Sequence, residues 1–492
     1  MQRVKTESGK IGIFGVGHPR YWMQFPGLKS RLEKYLKYFE EKVKELNVEV
    51  VSAGLIDTPE KSHKAADLFV REKVDLVFCN VTTYARSHVL LPIAQRIKAH
   101  IVLIGLQPTP GMDYLKSTTS EQLANDVPTS LPEFSYALSR ANIPFSVVFG
   151  MLYEDERAWK EIKEWTQVAT VIHTLSSAHI GFMGHAFEGM LDMYSDPTMF
   201  GVHFPGMEIE MVEMSDLKVR IDSVTHKEIE AKKKEIKNFF IFPPPGADPI
   251  AGPVSEEDLK WSAQVAVGLD KLVNDYHLNG LAYYYRGRCR TIDVGTEYEK
   301  IVPGMIVGNS ILTGRGIPVA GEGDLKNCVA MLIMDRFGVG GSFSELHPVD
   351  FKGDFALIGH DGPAHIAISH GKPVLRSLAK LHGKFGYGAS VEFKVKNGPI
   401  TILSLSHTYD GRFYFIVAEG ESLSGAIPAT GNTNTRGRFP PDVVTFVEKW
   451  TEAAPTHHHA LSVGHNISKI RKLSKALGMQ LIVVSEVNQE KL

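Results

Sequence analysis

Glu322, Glu345 and His360 each stand just beyond an apolar or Gly-rich segment of residues 314–365, GRGIPVAGEGDLKNCVAMLIMDRFGVGGSFSELHPVDFKGDFALIGHDGPAH. Polar groups handed to a loop-built site by a rigid scaffold are found in such places. Two carboxylates and an imidazole are hard oxygen and borderline nitrogen donors. They suit Mn²⁺, Co²⁺, Mg²⁺ or Fe²⁺ better than they suit a thiolate-bound zinc. The run Thr456-His457-His458-His459, about a hundred residues on, offers a further imidazole. The expected arrangement is a divalent-metal site of two carboxylates and two imidazoles.

A second group of polar residues follows the first apolar run of the chain. Gly15-Val16-Gly17-His18 begins like a dinucleotide-binding loop, but Pro19, Arg20 and Tyr21 come next and the third glycine is missing. The broken motif argues against a pyrophosphate ligand. His18, Arg20 and Tyr21 fit a polyhydroxylated ligand better. In FMGHAFEGMLD, residues 182–192, His185 and Glu188 lie three apart in a mixture suited to a cleft wall.

The scaffold that must position these groups is α/β. Short Ile- and Val-rich runs at 10–15 and 48–55 enclose a segment with Leu28, Leu32, Leu36, Phe39, Val43 and Leu46 at helical spacing. Thr58-Pro59 opens a second helix, and VDLVFCNV and HIVLIGL supply two more buried strands. This alternation predicts a parallel, doubly wound sheet with its functional edge at the carboxyl ends of the strands. A second α/β portion is expected to open at IPFSVVFGML, after the Pro-containing stretch NDVPTSLPEF. HKEIEAKKKEIKNFF reads as a helix with a solvated charged face, and the segment from Ser255 as a long amphipathic helix. From about residue 391 the pattern changes to period-two alternation with hairpin signals at Asn397-Gly398 and Asp410-Gly411, which predicts an antiparallel barrel or sandwich.

With 492 residues the chain is long enough for two or three domains. A hydrophobic content of 43% and a charged content of 22% are those of an ordinary soluble protein, and no apolar run reaches the length of a membrane span. A net charge of −2 supplies no basic field for nucleic acid or acidic lipid. The opening residues MQRVKTESGK lack the apolar core of a signal peptide, so a cytoplasmic protein is expected. Cys79, Cys289 and Cys328 are too scattered for a thiolate site and read as structural thiols.

The blocks GIPVAGEGDLKNCVAMLIM, GGSFSE, LIGHDGPAH and PTHHHALSVGH resemble, in order and spacing, the metal-binding blocks of the L-arabinose isomerase family. Several separated blocks in one order are far more specific than any one of them. The resemblance implies two doubly wound flavodoxin-like α/β domains, here 1–142 and 143–325, followed by a C-terminal domain, 326–492, containing an antiparallel β-barrel. It also implies a homo-oligomer and a metal-dependent aldose-ketose isomerase acting on an open-chain aldopentose or aldohexose. The expected cation is Mn²⁺, with Co²⁺ or Mg²⁺ as substitutes.

Carried over by position, the family's metal ligands fall on Glu322, Glu345, His360 and His458. Substrate-binding roles fall on His18, Tyr21 and His457. Glu322 and Glu345 form the expected acid/base pair, since moving a proton between C2 and C1 of the sugar needs groups that take and return it. Lys326, Asp324, Asp361, His365 and His465 are candidates for hydrogen-bond partners of the ligands. The family commonly has glutamine where this chain has His18, so the sugar itself is not assigned. Fucose-isomerase-like or epimerase activity on another sugar is the alternative within enzymes. A non-catalytic sugar-binding sensor is the alternative outside them, and the paired carboxylates count against it.

Overall fold

Five apolar runs build the first sheet, and their helices cover it as their spacing demands. The computed structural model describes residues 3–247, 252–285, 296–378, 387–428 and 432–487. The chain divides into two compact units, the first made of Thr6–Thr174 with Ser468–Met479. In it, β1 (Lys10–Val16), β2 (Glu49–Ile56), β3 (Leu76–Asn80), β4 (His100–Gln107) and β5 (Phe145–Met151) form a parallel sheet in the order β2-β1-β3-β4-β5. The helix Leu28–Lys44 buries Leu28, Leu32, Leu36, Phe39 and Val43, as its period predicts. Thr58 caps the helix Pro59–Glu72 by accepting from the Lys61 amide, with proline at the first position where no amide is needed.

One strand differs from the expectation. β5 does not open a second α/β portion but pairs in parallel with β4. The stretch thought to separate them contains the helix Ser130–Arg140, with Pro132 in its first turn. Proline there costs no intrahelical hydrogen bond, so a residue that reads as a break is part of a crossover helix. The basic helix Ile467–Leu477 supplies the last piece of this unit, with Lys472 Nζ 2.6 Å from Glu164 and 2.8 Å from Glu161. Cys79 is buried in β3, Cys328 is buried in the second unit, and Cys289 lies outside the described residues.

The second unit holds a parallel sheet and a closed antiparallel barrel. β6 (His179–Gly184), β7 (Glu208–Val212), β8 (Gly280–Tyr284) and β9 (Val319–Ala320) lie in the order β7-β6-β8-β9. The charged run forms the helix His226–Phe239, which is not merely a solvated face. It buries Ile229, Lys232 and Ile236, and Lys232 Nζ is 2.7 Å from both Glu235 and Asp270. The helix Leu325–Arg336 is buried from Leu325 to Asp335 and packs on β8 and on strands of the barrel.

Beyond that helix the strands are β10 (Gly340–Asp350), β11 (Phe355–His360), β12 (Val374–Ser377), β13 (Ala389–Glu392), β14 (Gly398–His407), β15 (Phe413–Leu423), β16 (Thr433–Arg438), β17 (His458–Val463) and β18 (Gln480–Ser485). Six of them run β14-β17-β10-β11-β16-β15, and β15 pairs back to β14 to close the ring. Closure removes the open edges that a sheet of this size would otherwise expose. Asp410-Gly411 turns β14 into β15 as expected, with Gly411 at φ +81°. Asn397-Gly398 does not make a hairpin, because β13 pairs with β12 and the pair merely leads into β14.

Candidate metal centre

The register of three barrel strands assembles most of the site. Glu345 on β10 stands opposite His458 on β17 and opposite Gly359 on β11, whose next residue is His360. Glu345 therefore lies within a strand, not in a loop. Glu322 arrives from the loop after β9 with φ +58°, followed by Gly323 at φ +72°. A Cβ at Gly323 would lie 2.6 Å from the His185 carbonyl oxygen, so only glycine lets the Glu322 loop pass under residues 185 and 186. The Glu322 carbonyl accepts from the Phe187 amide at 3.0 Å, which ties the two loops together.

Five of the predicted side chains converge. His360 Nε2 is 4.0 Å from Glu322 Oε1 and 3.9 Å from Glu345 Oε1. His458 Nε2 is 3.5 Å from Glu322 Oε2, and His457 Nε2 is 3.9 Å from Glu322 Oε2 and from Glu345 Oε2. Two triads, Glu322 with His457 and His458 and Glu345 with His360 and His458, each bring one donor atom per residue within 4.8 Å of the others.

Aspartates set the imidazoles. Asp324 caps the helix Leu325–Arg336 through the Asn327 amide and takes His458 Nδ1 at 3.1 Å. Burial would raise the Asp324 carboxyl, but the His458 hydrogen bond, the Lys326 ammonium and the Asn327 amide outweigh it and hold the carboxyl below its ordinary value. A carboxylate can only accept, so the His458 proton sits on Nδ1 and its Nε2 carries a lone pair. Burial keeps that imidazole neutral by pushing its pKa down, despite the upward pull of Asp324. Asp192 plays the corresponding part for His457, accepting from its backbone amide at 2.9 Å and from Nδ1 at 2.7 Å. His360 differs, its Nδ1 accepting from the Gly362 amide at 3.1 Å while lying 3.1 Å from Asp361 Oδ1.

Glu322 Oε2 and His458 Nε2 are both buried without a hydrogen-bond partner. They are two acceptors facing each other at 3.5 Å, an arrangement that buried polar groups do not tolerate without a hydrogen-bond donor or a cation between them. The donor set fits a divalent cation on that ground, and its oxygen-and-imidazole chemistry fits Mn²⁺ and its neighbours.

Other candidates lie elsewhere. His459 points away from His458, buried edge-on to Trp450 with ring centroids 5.6 Å apart, and burial pushes its pKa down to about 3. His365 is buried against Asp335 at 3.1 Å, and His465 Nε2 is 3.2 Å from the Gly420 carbonyl oxygen. His185 Nδ1 is 2.8 Å from the Ala186 carbonyl oxygen on the loop that Gly323 supports. His18 and Tyr21 belong to the first unit, where their rings stack at 4.9 Å and the Tyr84 ring lies 6.3 Å from that of His18. Lys326 is buried, with Nζ 3.3 Å from the Tyr194 carbonyl oxygen. Asp192 escaped the sequence reading. It is 265 residues from His457, and no spacing rule joins the two.

No protein-family model matches the chain. An L-arabinose isomerase of Aeromonas salmonicida is 23% identical over 362 residues, covering 72% of this chain and 69% of that protein. An L-arabinose isomerase of Acidothermus cellulolyticus is 22% identical over the same shares of each chain. A sulfoquinovose isomerase of Priestia megaterium is 21% identical over 438 residues, 87% of this chain and 89% of the relative. A solved solute-binding protein of an ABC transporter from Rhodopseudomonas palustris has 11% identity, a TM-score of 0.18 and coverage of 72% of this chain and 68% of its own, and carries no argument. The resemblance seen in the four blocks thus extends over most of the chain, to curated relatives named as sugar isomerases. Among the described residues, no helix is long and apolar enough to cross a membrane.

Proposed function

We propose that this chain is a divalent-metal-dependent aldose-ketose isomerase, with Glu322, Glu345, His360 and His458 holding the cation. The observation that carries the reading is the pair of facing, partnerless acceptors, Glu322 Oε2 and His458 Nε2, inside a ring of carboxylates and imidazoles. Relatives named for isomerising L-arabinose and sulfoquinovose support the reaction class. When bound, a divalent cation supplies an electrophile that polarises the sugar's carbonyl and the neighbouring hydroxyl.

The chain's own residues do the rest. One of Glu322 and Glu345 takes the C2 proton of the open-chain aldose, leaving the electron pair in a C1–C2 double bond as the carbonyl oxygen gains charge. The same carboxyl then returns the proton to C1 while the C2 hydroxyl passes its proton to the charged oxygen on C1, so that a C1 hydroxyl and a C2 carbonyl, those of the ketose, result. His457 faces the sugar, and His18 and Tyr21 bind it. Mn²⁺ is the proposed cation, with Co²⁺ or Mg²⁺ as substitutes. The relatives' names span a neutral pentose and a sulfonated hexose, and the sugar is left at the level of an aldopentose or aldohexose.

The same proposal reads the chain as two flavodoxin-like domains and a barrel-containing domain, with the first boundary, expected after residue 142, moved past β5 and the second kept after residue 325. The two parallel sheets support it by sharing a 2-1-3-4 order. A homo-oligomer completes the proposal on the family resemblance alone. The test is a panel of aldopentoses and aldohexoses, including sulfonated ones, assayed for ketose with Mn²⁺ present. Conversion of at least one is expected, and binding without conversion of any would favour a sugar sensor.

A further inference from the structure

We propose that Asp192 is a positioning residue that holds His457 in the tautomer and orientation needed to accept a hydrogen bond from a hydroxyl of the open-chain sugar. The inference rests on the isomerase reading for its ligand class but stands on its own geometry. Asp192 lies in the one-turn helix Leu191–Met193 and receives two hydrogen bonds from a single residue, from the His457 amide at 2.9 Å and from Nδ1 at 2.7 Å. Two bonds from one residue fix both its backbone and the plane of its ring. With the proton on Nδ1, Nε2 presents a lone pair, 3.9 Å from Glu322 Oε2 and from Glu345 Oε2.

The opposite tautomer would aim an N–H at two carboxylates. It would spend itself on them and close the space where the sugar has to lie. Asp192 prevents that by competing for the proton from the other side of the ring. The arrangement repeats that of Asp324 and His458, with one difference that separates their roles. The His458 side chain is 0% exposed, whereas that of His457 is 36% exposed and open to an incoming ligand.

The turn that carries Asp192 is not a wandering surface segment. Met193 is buried beside it, the Tyr194 carbonyl accepts from Lys326 Nζ at 3.3 Å and lies 3.2 Å from His407 Nε2, and the Phe187 amide upstream donates to the Glu322 carbonyl. The Phe187 and Lys326 contacts tie the 187–194 segment to the loop of Glu322 and to the helix that Asp324 caps, and the His407 contact ties it to β14. Asp192 is therefore preorganised at the edge of the cluster.

The test is Asp192→Asn in the full chain, with Asp192→Glu as the conservative variant. In the Mg²⁺-loaded protein, ¹⁵N NMR of the histidines, with His457 assigned by its loss in His457→Gln, reads the tautomer directly. The expected result is loss of the Nδ1–H form of His457 in Asp192→Asn and its recovery in Asp192→Glu. The affinity for the non-reacting alditols L-arabinitol and galactitol and the KM for the sugar should weaken about 10- to 100-fold, as for other orienting partners. Mn²⁺ affinity should stay within about twofold, because Asp192 touches none of the four proposed ligands. An unchanged His457 tautomer would overturn the inference. So would a parallel loss of Mn²⁺ affinity, which would make His457 an ion ligand. If the unmodified protein isomerises no sugar, the proposed function fails, and the tautomer still decides the role of Asp192.

Discussion

Glu345 and His458 stand directly opposite each other in the ladder between β10 and β17. The spacing of a carboxylate and an imidazole is thus set by the register of one strand pair. One residue along, Ser344 stands opposite His459 on the other face, so the strand's period of two decides which of His458 and His459 can meet the glutamates, while His457 precedes the strand and reaches them from outside the ladder.

That parity predicts a contrast between neighbours. His458→Ala should lose Mn²⁺ affinity and ketose formation together. His459→Ala should keep most of both while losing on the order of 2 kcal/mol of stability through the cavity left beside Trp450. Calorimetric Mn²⁺ binding and urea unfolding on the two variants distinguish them, and loss of metal binding in His459→Ala instead would shift the register by one.

Glu345→Gln keeps the shape of the side chain and removes its basicity. Turnover should fall by about 10²- to 10⁴-fold, the usual contribution of a general base. Bound metal must be measured in the same preparation, since the carboxylate also offsets the cation's charge. In D₂O, a proton carried by carboxylate should exchange, placing deuterium at C1 of the ketose. Complete retention of the original hydrogen over many turnovers would demote both glutamates to ligands.

Asp324 tests the tautomer of His458. Asp324→Asn replaces an obligatory acceptor with an amide that can donate to Nδ1 and shift the proton to Nε2. Mn²⁺ affinity should weaken by about 10- to 100-fold. Undiminished affinity, measured by titration into chelator-treated protein, would show that the aspartate serves only as a helix cap.

Much of this was legible in the sequence, and the failures have physical reasons. The apolar periods at 28–43 and the Thr58-Pro59 cap were local signals, and local signals survived. β5 was misplaced because Pro132 looks the same at the start of a helix as in a linker. Asn397-Gly398 has hairpin chemistry, but the strand before it found its partner in β12, a non-local choice that turn propensity cannot foresee. The same holds within the site. Glu322, Glu345 and His360 lie in three successive blocks within residues 314–365, whereas Asp192 reaches His457 only through the fold.

His173 gives a pH prediction away from the site. Its Nδ1 is 3.1 Å from Asp75 and its Nε2 3.2 Å from Glu7, and the Asp75 hydrogen bond, outweighing burial, raises its pKa. The folded state therefore binds the proton more tightly than the unfolded chain, whose histidine titrates near about 6.5. This contribution to stability is fully present below that value and is lost as pH rises through the higher folded pKa. His173→Gln should flatten the fall in urea-unfolding stability from pH 6 to pH 8. An unaltered slope would assign it to other groups.

The most direct measurement is ketose formation by chelator-stripped protein, with bound metal quantified, before and after Mn²⁺ is restored. Loss of activity on stripping, recovery with Mn²⁺ or Co²⁺, and a higher melting temperature in the loaded protein are expected, because a ligand bound only by the folded state stabilises it. Full turnover with no bound metal would contradict metal dependence.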